Sequence, residues 1–112
     1  MTLNRWDIVF VRAEEGDPVG HPAVVLSSED ILGDVRCLRF NVVTGTKRTP
    51  ARALAPSEVL LNGSDGLDFQ TAIDCGLVLV ARKSAVIRLG GRVCAERRRE
   101  IARKIRAYLG LG

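Results

Sequence analysis

The chain has a single histidine, His21, and histidine is the side chain whose ordinary pKa, about 6.5, lies near neutral pH. Such a side chain can accept or release a proton during a reaction, or donate a hydrogen bond to an anion. His21 directly precedes Pro22 at the start of an apolar run, so it could equally be a residue that only begins a strand. The residue type therefore leaves a chemical role and a structural role open.

The three cysteines suggest no metal or redox chemistry. Cys37, Cys75 and Cys94 are odd in number, lie far apart and form no C-x-x-C pair, which argues against a disulfide framework and against a structural zinc site. We expect them to pack in the core of a protein in a reducing compartment, and we expect no metal and no cofactor.

Positive charge is concentrated near the C-terminus. A net charge of +4 and an isoelectric point near 9.4 favour polyanions as partners. The run Arg97-Arg98-Arg99 could bind nucleic acid, but on an amphipathic helix such a run is more often a solvated face. Aromatic residues make up 4% of the chain, which leaves few platforms for stacking bases. The basic residues of this segment are Arg92, Arg97, Arg98, Arg99, Arg103, Lys104 and Arg106.

Length and composition predict one domain that spans residues 1–112 and can bury a core without disulfides or metal. No apolar run approaches the roughly 20 residues that a membrane helix needs. The first residues lack the basic start and apolar stretch of a secretory signal, so we expect a protein of the cytoplasm that does not contact membranes.

Short apolar segments between turn residues predict strands. We expect strands at residues 6–11, 21–28, 35–43, 58–61 and 71–81, and turns at residues 30–34, 62–66 and 90–91. Residues 44–50 are expected to end the third strand.

The last segment has helical periodicity. Ile101, Ile105 and Leu109 recur every four residues and predict a helix at about residues 95–109, which Gly110 ends. We therefore expect a mainly β protein with a C-terminal α-helix. Residues 5–93 would form a small SH3-like barrel or a strongly curved antiparallel sheet, with the helix covering one opening.

Three segments resemble the MazF/PemK toxin family in order and spacing. That family typically opens with G-D-[IV]-x-x-[VW], continues with R-P-[AV]-[VL]-[VI]-[LV]-S and ends its next strand in T-S or T-T. The resemblance covers nearly the whole chain and implies a CcdB/MazF-type sheet, a homodimer, and a metal-independent endoribonuclease of a type II toxin–antitoxin system that an antitoxin holds in check. The matching segments are Trp6-Asp7-Ile8-Val9, Gly20-His21-Pro22-Ala23-Val24-Val25-Leu26-Ser27 and Val42-Val43-Thr44.

Metal-free cleavage of single-stranded RNA uses the ribose 2′-hydroxyl as nucleophile, and it needs a base, an acid and donors that stabilise the phosphoryl oxygens. The resemblance implies that Thr44 donates to the scissile phosphate and that His21 takes the place of the family's arginine before the proline. Asp17 lies where relatives often carry a glutamate, and Asp74 is the ionisable residue of the later strand. Three residues just beyond Thr44 would hold RNA phosphates, namely Thr46, Lys47 and Arg48.

Structural roles remain open for several of these residues. Thr44 suits a strand end by its β propensity, Asp17 and Pro18 form a common turn pair, and Lys47 and Arg48 could be a solvated loop pair.

The chain also departs from the family. It has His21 instead of the arginine, and an apolar stretch follows Asp74 where relatives carry a polar cluster. Either His21, Arg48 and Asp74 form a variant site or the chain keeps the fold without the reaction. In the second case it would be a binding protein, for an antitoxin or, like CcdB, for gyrase. An SH3-like adaptor for peptides is a third hypothesis.

Overall fold

The computed structural model describes residues 2–13, 16–47 and 53–112, with the side chains of residues 46 and 47 outside that description. Within these ranges the chain forms seven strands, two α-helices and two single 3₁₀ turns, at Gly63–Asp65 and Lys83–Ala85. In order, the strands and helices are β1 (Asp7–Val11), β2 (His21–Val25), α1 (Glu29–Gly33), β3 (Arg39–Lys47), β4 (Glu58–Leu61), β5 (Thr71–Asp74), β6 (Leu79–Arg82), β7 (Val86–Arg92) and α2 (Ala95–Leu109).

Strand β3 organises the sheet. All strand pairs are antiparallel, and the order is β4-β5-β3-β2-β1-β7, with β6 pairing β3 beside this path. The first half of β3 pairs with β6 up to Val42, and its last residues pair with β5 from Gly45 onward. This change of partner along one strand curls the sheet into a half-barrel, which confirms the predicted mainly β fold with a C-terminal helix.

The sheet buries apolar side chains on both faces. Successive residues of a strand point to opposite faces, so Val24 and Val43 belong to the cluster that contains Ile101 of α2, whereas Val25 and Val42 belong to a second cluster. The second cluster also holds Phe40 and the α1 residue Leu32. Helix α2 therefore covers one face, and α1 lies at the other.

Helix α2 has the predicted bounds. Ile101 is fully buried and Ile105 is partly buried against the first cluster, as the four-residue spacing predicts, while Leu109 in the last turn is exposed. Gly110 ends the helix in the left-handed conformation at φ 69°, which glycine adopts without steric cost. Among the described residues, no helix combines the length and apolar character needed to cross a membrane.

The predicted long strand at residues 71–81 is wrong, because the structure has two strands there, β5 and β6. Between them the Asp74 carboxylate accepts a hydrogen bond of 2.9 Å from the Gly76 backbone N–H. A side-chain bond of this kind stabilises a turn in place of a sheet ladder.

Two turn predictions are also wrong. Gly90 and Gly91 lie inside β7. A Cβ at Gly91 would collide with the carbonyl of Asp65, and a Cβ at Gly90 would collide with the ring of Phe10. These glycines therefore allow neighbouring parts of the protein to pack closely against β7. The predicted turn at residues 30–34 is the short helix α1, whose end is held by Lys83 through hydrogen bonds to the carbonyls of Ile31, Leu32 and Asp34.

The third strand begins later and ends later than predicted. It runs from Arg39 to Lys47, so residues 44–47 continue the strand that the sequence analysis ends at residue 43. Pairing with β5 explains the extension, since Gly45, Thr46 and Lys47 find partners there.

Candidate active site

A cavity of about 530 Å³ opens on the sheet face opposite α2. Val42 belongs to the cluster on that face and contributes to the wall of the cavity. The cavity is bordered by the end of β1, the start of β2, the middle of β3 and the whole of β6. The residues that border it are Val11, Arg12, Ala13, His21, Val42, Thr44, Gly45, Leu79, Val80, Ala81, Arg82 and Ala85.

The register of β2 against β3 brings His21 and Thr44 to this cavity. Ala23 pairs directly with Thr44, and His21 lies two residues before Ala23 on the same face of the strand. A diagonal pair of this kind is typically about 7–8 Å apart between Cα atoms. His21 is 58% exposed, and Thr44 is half-buried.

Asp17 lies beside His21, with 3.9 Å between its Oδ2 and the imidazole Nε2. The same carboxylate accepts backbone hydrogen bonds from Gly20 at 3.0 Å, Val19 at 3.2 Å and, more weakly, Ala13 at 3.5 Å. The Gly20 N–H bond is the main reason that the pKa of Asp17 is lowered. Asp17 is therefore a stable anion that shapes the first loop and faces the histidine.

Asp74 does not border the cavity. It ends β5, where it pairs with Glu58 in the ladder, and its carboxylate holds the Gly76 N–H. A Cβ on Gly76 would lie 3.2 Å from Asp74 Oδ1 and 3.7 Å from a ring carbon of Tyr108, so Asp74 lies toward the C-terminal end of α2.

The three predicted RNA-binding residues lie at the edge of the described chain. Thr46 and Lys47 have backbone positions in β3, paired with Ala72 and Thr71, and their side chains are outside the description. Arg48 lies outside the described residues altogether.

Gly45 follows Thr44, where the family that the sequence resembles often has serine or threonine. A Cβ at this position would lie 2.6 Å from Thr71 Oγ1 and 2.7 Å from the Ala72 carbonyl oxygen, so the close approach of β5 admits no side chain. The departure from the family motif therefore has a packing reason.

Two arginines that the sequence analysis missed border the cavity. Arg12 and Arg82 are both exposed, and neither guanidinium group has a hydrogen bond or an ion pair to another described residue. Arg12 follows Val11, which pairs with His21, so a correct β1–β2 register would have found it. Arg82 could not be found, because its position depends on β6 being a separate strand.

The arginine run of α2 has a different environment. Arg97 donates to the buried Asp65 carboxylate at 2.6 Å, and Arg98 donates to the Val93 carbonyl at 2.7 Å. Arg99 is exposed. The run is thus in part a structural element and not a uniform solvated patch. Among the described residues, no group of three histidine, cysteine, aspartate or glutamate side chains could hold a metal ion.

Comparison with models of protein families gives no match, and comparison with curated protein sequences gives none either. Solved structures do match. A mycobacterial endoribonuclease in complex with its cognate antitoxin aligns with a TM-score of 0.78 at 17% identity, over 98% of this chain and 97% of that one. MazE-MazF from Deinococcus radiodurans gives 0.75 at 18% identity, over 98% of each chain.

A third match is the Mycobacterium tuberculosis toxin MazF-mt6, with a TM-score of 0.71 at 16% identity, over 93% of this chain and 96% of that one. These identities are low, whereas the alignments extend over nearly the full length of both partners. The chain has the fold of MazF-type toxins.

Proposed function

We propose that this protein is the toxin of a type II toxin–antitoxin system and a metal-independent endoribonuclease that cleaves single-stranded RNA. The observation that carries the proposal is the meeting of His21 and Thr44 at one cavity that also has two arginines, whose guanidinium groups have no partner in the described part of the chain. Structural likeness to a protein described as an endoribonuclease, and to one described as the toxin MazF-mt6, supports it.

The reaction needs in-line attack on one phosphodiester. His21 takes the proton of the ribose 2′-hydroxyl, the 2′-oxygen forms a bond to phosphorus, and the bond from phosphorus to the 5′-oxygen breaks. The products are a 2′,3′-cyclic phosphate and a 5′-hydroxyl, whose proton comes from solvent. The Thr44 hydroxyl donates to a nonbridging oxygen, and the guanidinium group of Arg12 stabilises the added negative charge.

The two carboxylates take different roles in this proposal. Asp17 faces His21 at 3.9 Å and stabilises the imidazolium that forms when the proton is taken. Asp17 itself is a poor base, because its backbone hydrogen bonds lower its pKa. Asp74 is not among the residues that border the cavity and is assigned no step.

Partner binding is also part of the proposal. Two of the matching structures contain an antitoxin or MazE beside the toxin, and we propose that an antitoxin binds this chain, that the chain is a homodimer, and that it acts in the cytoplasm. Light scattering on purified protein, alone and with the product of a neighbouring small gene, measures both assemblies. A monomer that binds no such product would contradict this part.

Cleavage in a chelator tests the catalytic part. Single-stranded RNA is incubated in EDTA with the wild type, with His21→Ala, with Thr44→Ala and with Arg103→Ala, a matched surface change on α2. We expect cyclic-phosphate ends from the wild type and Arg103→Ala, and a rate lower by about 10²-fold or more for His21→Ala, which is the usual contribution of a proton-transfer group.

Two results would contradict the proposal. Equal cleavage by all four proteins would assign the activity to a contaminant, and no cleavage by the folded wild type would remove the enzymatic function. Antitoxin binding without cleavage would then favour the alternative of a binding protein that keeps the fold.

A further inference from the structure

A second basic hollow adjoins the candidate active site. It measures about 420 Å³ and is bordered by Leu38, Arg39, Arg82, Lys83 and Ser84. Arg82 borders both hollows, so the two form one continuous surface that passes over the end of β6.

Two arginines face each other across the strands of this hollow. Arg39 of β3 and Arg82 of β6 are direct partners in the ladder, where Cβ atoms are typically about 4.5–5.5 Å apart and like charges destabilise the pair. Both side chains are exposed, and neither has a hydrogen bond or an ion pair to any residue in the described part of the chain.

The neighbouring Lys83 differs from the two arginines, because its side chain is hydrogen-bonded within the fold. Its ammonium group donates to three backbone carbonyls at the end of α1, at 2.7, 3.1 and 2.9 Å. All three of its donors are therefore used by the fold. The guanidinium donors of Arg39 and Arg82 remain available to an external anion.

We propose that Arg39 and Arg82 form a phosphate subsite that holds a second phosphodiester of the RNA, next to the one that is cleaved. Two guanidinium groups can converge on the oxygens of one phosphate, and the bound anion removes the repulsion between them. Continuity with the cavity favours RNA over an acidic peptide. This inference rests on the proposed nuclease function, and it adds where the RNA backbone next to the cleaved phosphodiester binds.

Such a contact positions RNA without reading its bases. It acts on binding more than on the chemical step, because Arg39 does not border the cavity of His21 and Thr44. It also depends on substrate length, since an oligonucleotide too short to leave the cavity cannot reach Arg39.

The test compares wild type, Arg39→Ala and the matched helix variant Arg103→Ala on a trinucleotide and a ten-nucleotide RNA. For the ten-nucleotide RNA we expect Arg39→Ala to raise KM about tenfold with kcat unchanged, as the loss of a charge-assisted hydrogen bond predicts. The trinucleotide should show no change, and Arg103→Ala should match the wild type on both. The salt dependence of binding should weaken by roughly 0.7 in log–log slope for the lost phosphate contact.

Binding of a 2′-O-methyl ten-nucleotide RNA, measured by fluorescence anisotropy, separates failure of the subsite from failure of the proposed function. If the wild type cuts no RNA but binds this oligonucleotide through Arg39, the nuclease function fails and the subsite stands. If the wild type cuts RNA and Arg39→Ala is unchanged on the long substrate, the subsite is overturned. The subsite is also overturned if Arg39→Ala binds an acidic peptide more weakly than the wild type while its RNA binding is unchanged. It is overturned as well if the wild type binds no RNA.

The thermal stability of Arg39→Ala shows whether weaker RNA binding by this variant results from misfolding. Removing one of two facing charges should leave Tm equal to or above that of the wild type. Inorganic phosphate should raise the wild-type Tm more than that of Arg39→Ala. An equal rise in both proteins would contradict the subsite.

Discussion

Three basic side chains on the α2 side of the sheet are bound within the fold, whereas two that border the cavity have no such partner in the described part of the chain. On the α2 side, Arg97 pairs with Asp65, Arg98 holds the Val93 carbonyl, and Lys104 donates to the Glu58 carbonyl at 2.8 Å. On the cavity side, Arg12 and Arg82 have no partner among the described residues.

The contrast teaches that clustering of charge in the sequence does not locate the functional charge. The densest run, Arg97-Arg98-Arg99, lies on the helix and serves stability in part. Arg12 and Arg82, which lie far from that run in the sequence, meet at the cavity because the ends of β1 and β6 do. Substitutions that break these α2-side contacts should therefore change stability, and those of the cavity arginines should change RNA binding or cleavage.

Loss of Asp65 should have the largest effect on stability. Asp65 is 1% exposed, and its carboxylate accepts from Arg97, from the Cys94 N–H and from the Asn62 N–H. Asp65→Ala leaves Arg97 without its buried counter-ion and should cost about 3–5 kcal/mol, measured by urea unfolding. The exposed Asp68→Ala is the control and should change the free energy of unfolding by under about 0.5 kcal/mol. Equal effects of the two changes would contradict a structural role for the α2 arginines.

A side chain at Gly45 should have the next largest effect. Gly45→Ala places a methyl group against Thr71 Oγ1 and the Ala72 carbonyl and should cost about 1–3 kcal/mol, as overpacking does. Gly33→Ala is the control, because nothing lies within 4 Å of its Cβ position. Thermal unfolding of both variants measures the difference, and a Gly45→Ala protein as stable as Gly33→Ala would refute the packing reason for this glycine.

Ionisation of Cys75, which lies in the core on the α2 side, should have a smaller effect on stability. Burial raises its pKa to about 11 from 9.0, so between about pH 9 and 11 the unfolded thiol ionises while the folded one stays neutral, and stability falls as pH rises. Cys75→Ala should flatten this slope. At pH 8, thiol reagents should modify the half-buried Cys37 and Cys94 before Cys75. Rapid reaction of all three thiols in the native protein would contradict the closed core.

The curved sheet and the C-terminal helix could be predicted because apolar runs and four-residue spacing are local signals. The division of residues 71–81 could not, since Leu77-Val78-Leu79-Val80 is apolar in a long strand and in a short one alike. The turn that divides it depends on the Asp74–Gly76 hydrogen bond. Gly90 and Gly91 misled the prediction for a related reason, because a glycine required by a close neighbour has the same appearance in the sequence as a glycine in a turn.

The candidate site was predictable in part. His21, Asp17 and Thr44 follow from the resemblance, and the register of β2 against β3 brings His21 and Thr44 to one cavity. Asp74 lies elsewhere, and Arg82 was missed, because each depends on where β5 ends and β6 begins. Tertiary pairing, which no local pattern encodes, decides both positions.

Mapping RNA contacts by NMR tests the central claim most directly. A ten-nucleotide 2′-O-methyl RNA is titrated into ¹⁵N-labelled protein, and backbone amide shifts are followed. The account predicts the largest changes at His21, Thr44 and Arg82, with small changes at Arg99 and Arg103 on the outer face of α2. Changes centred on those two helix arginines, with the amides around the cavity unmoved, would contradict it.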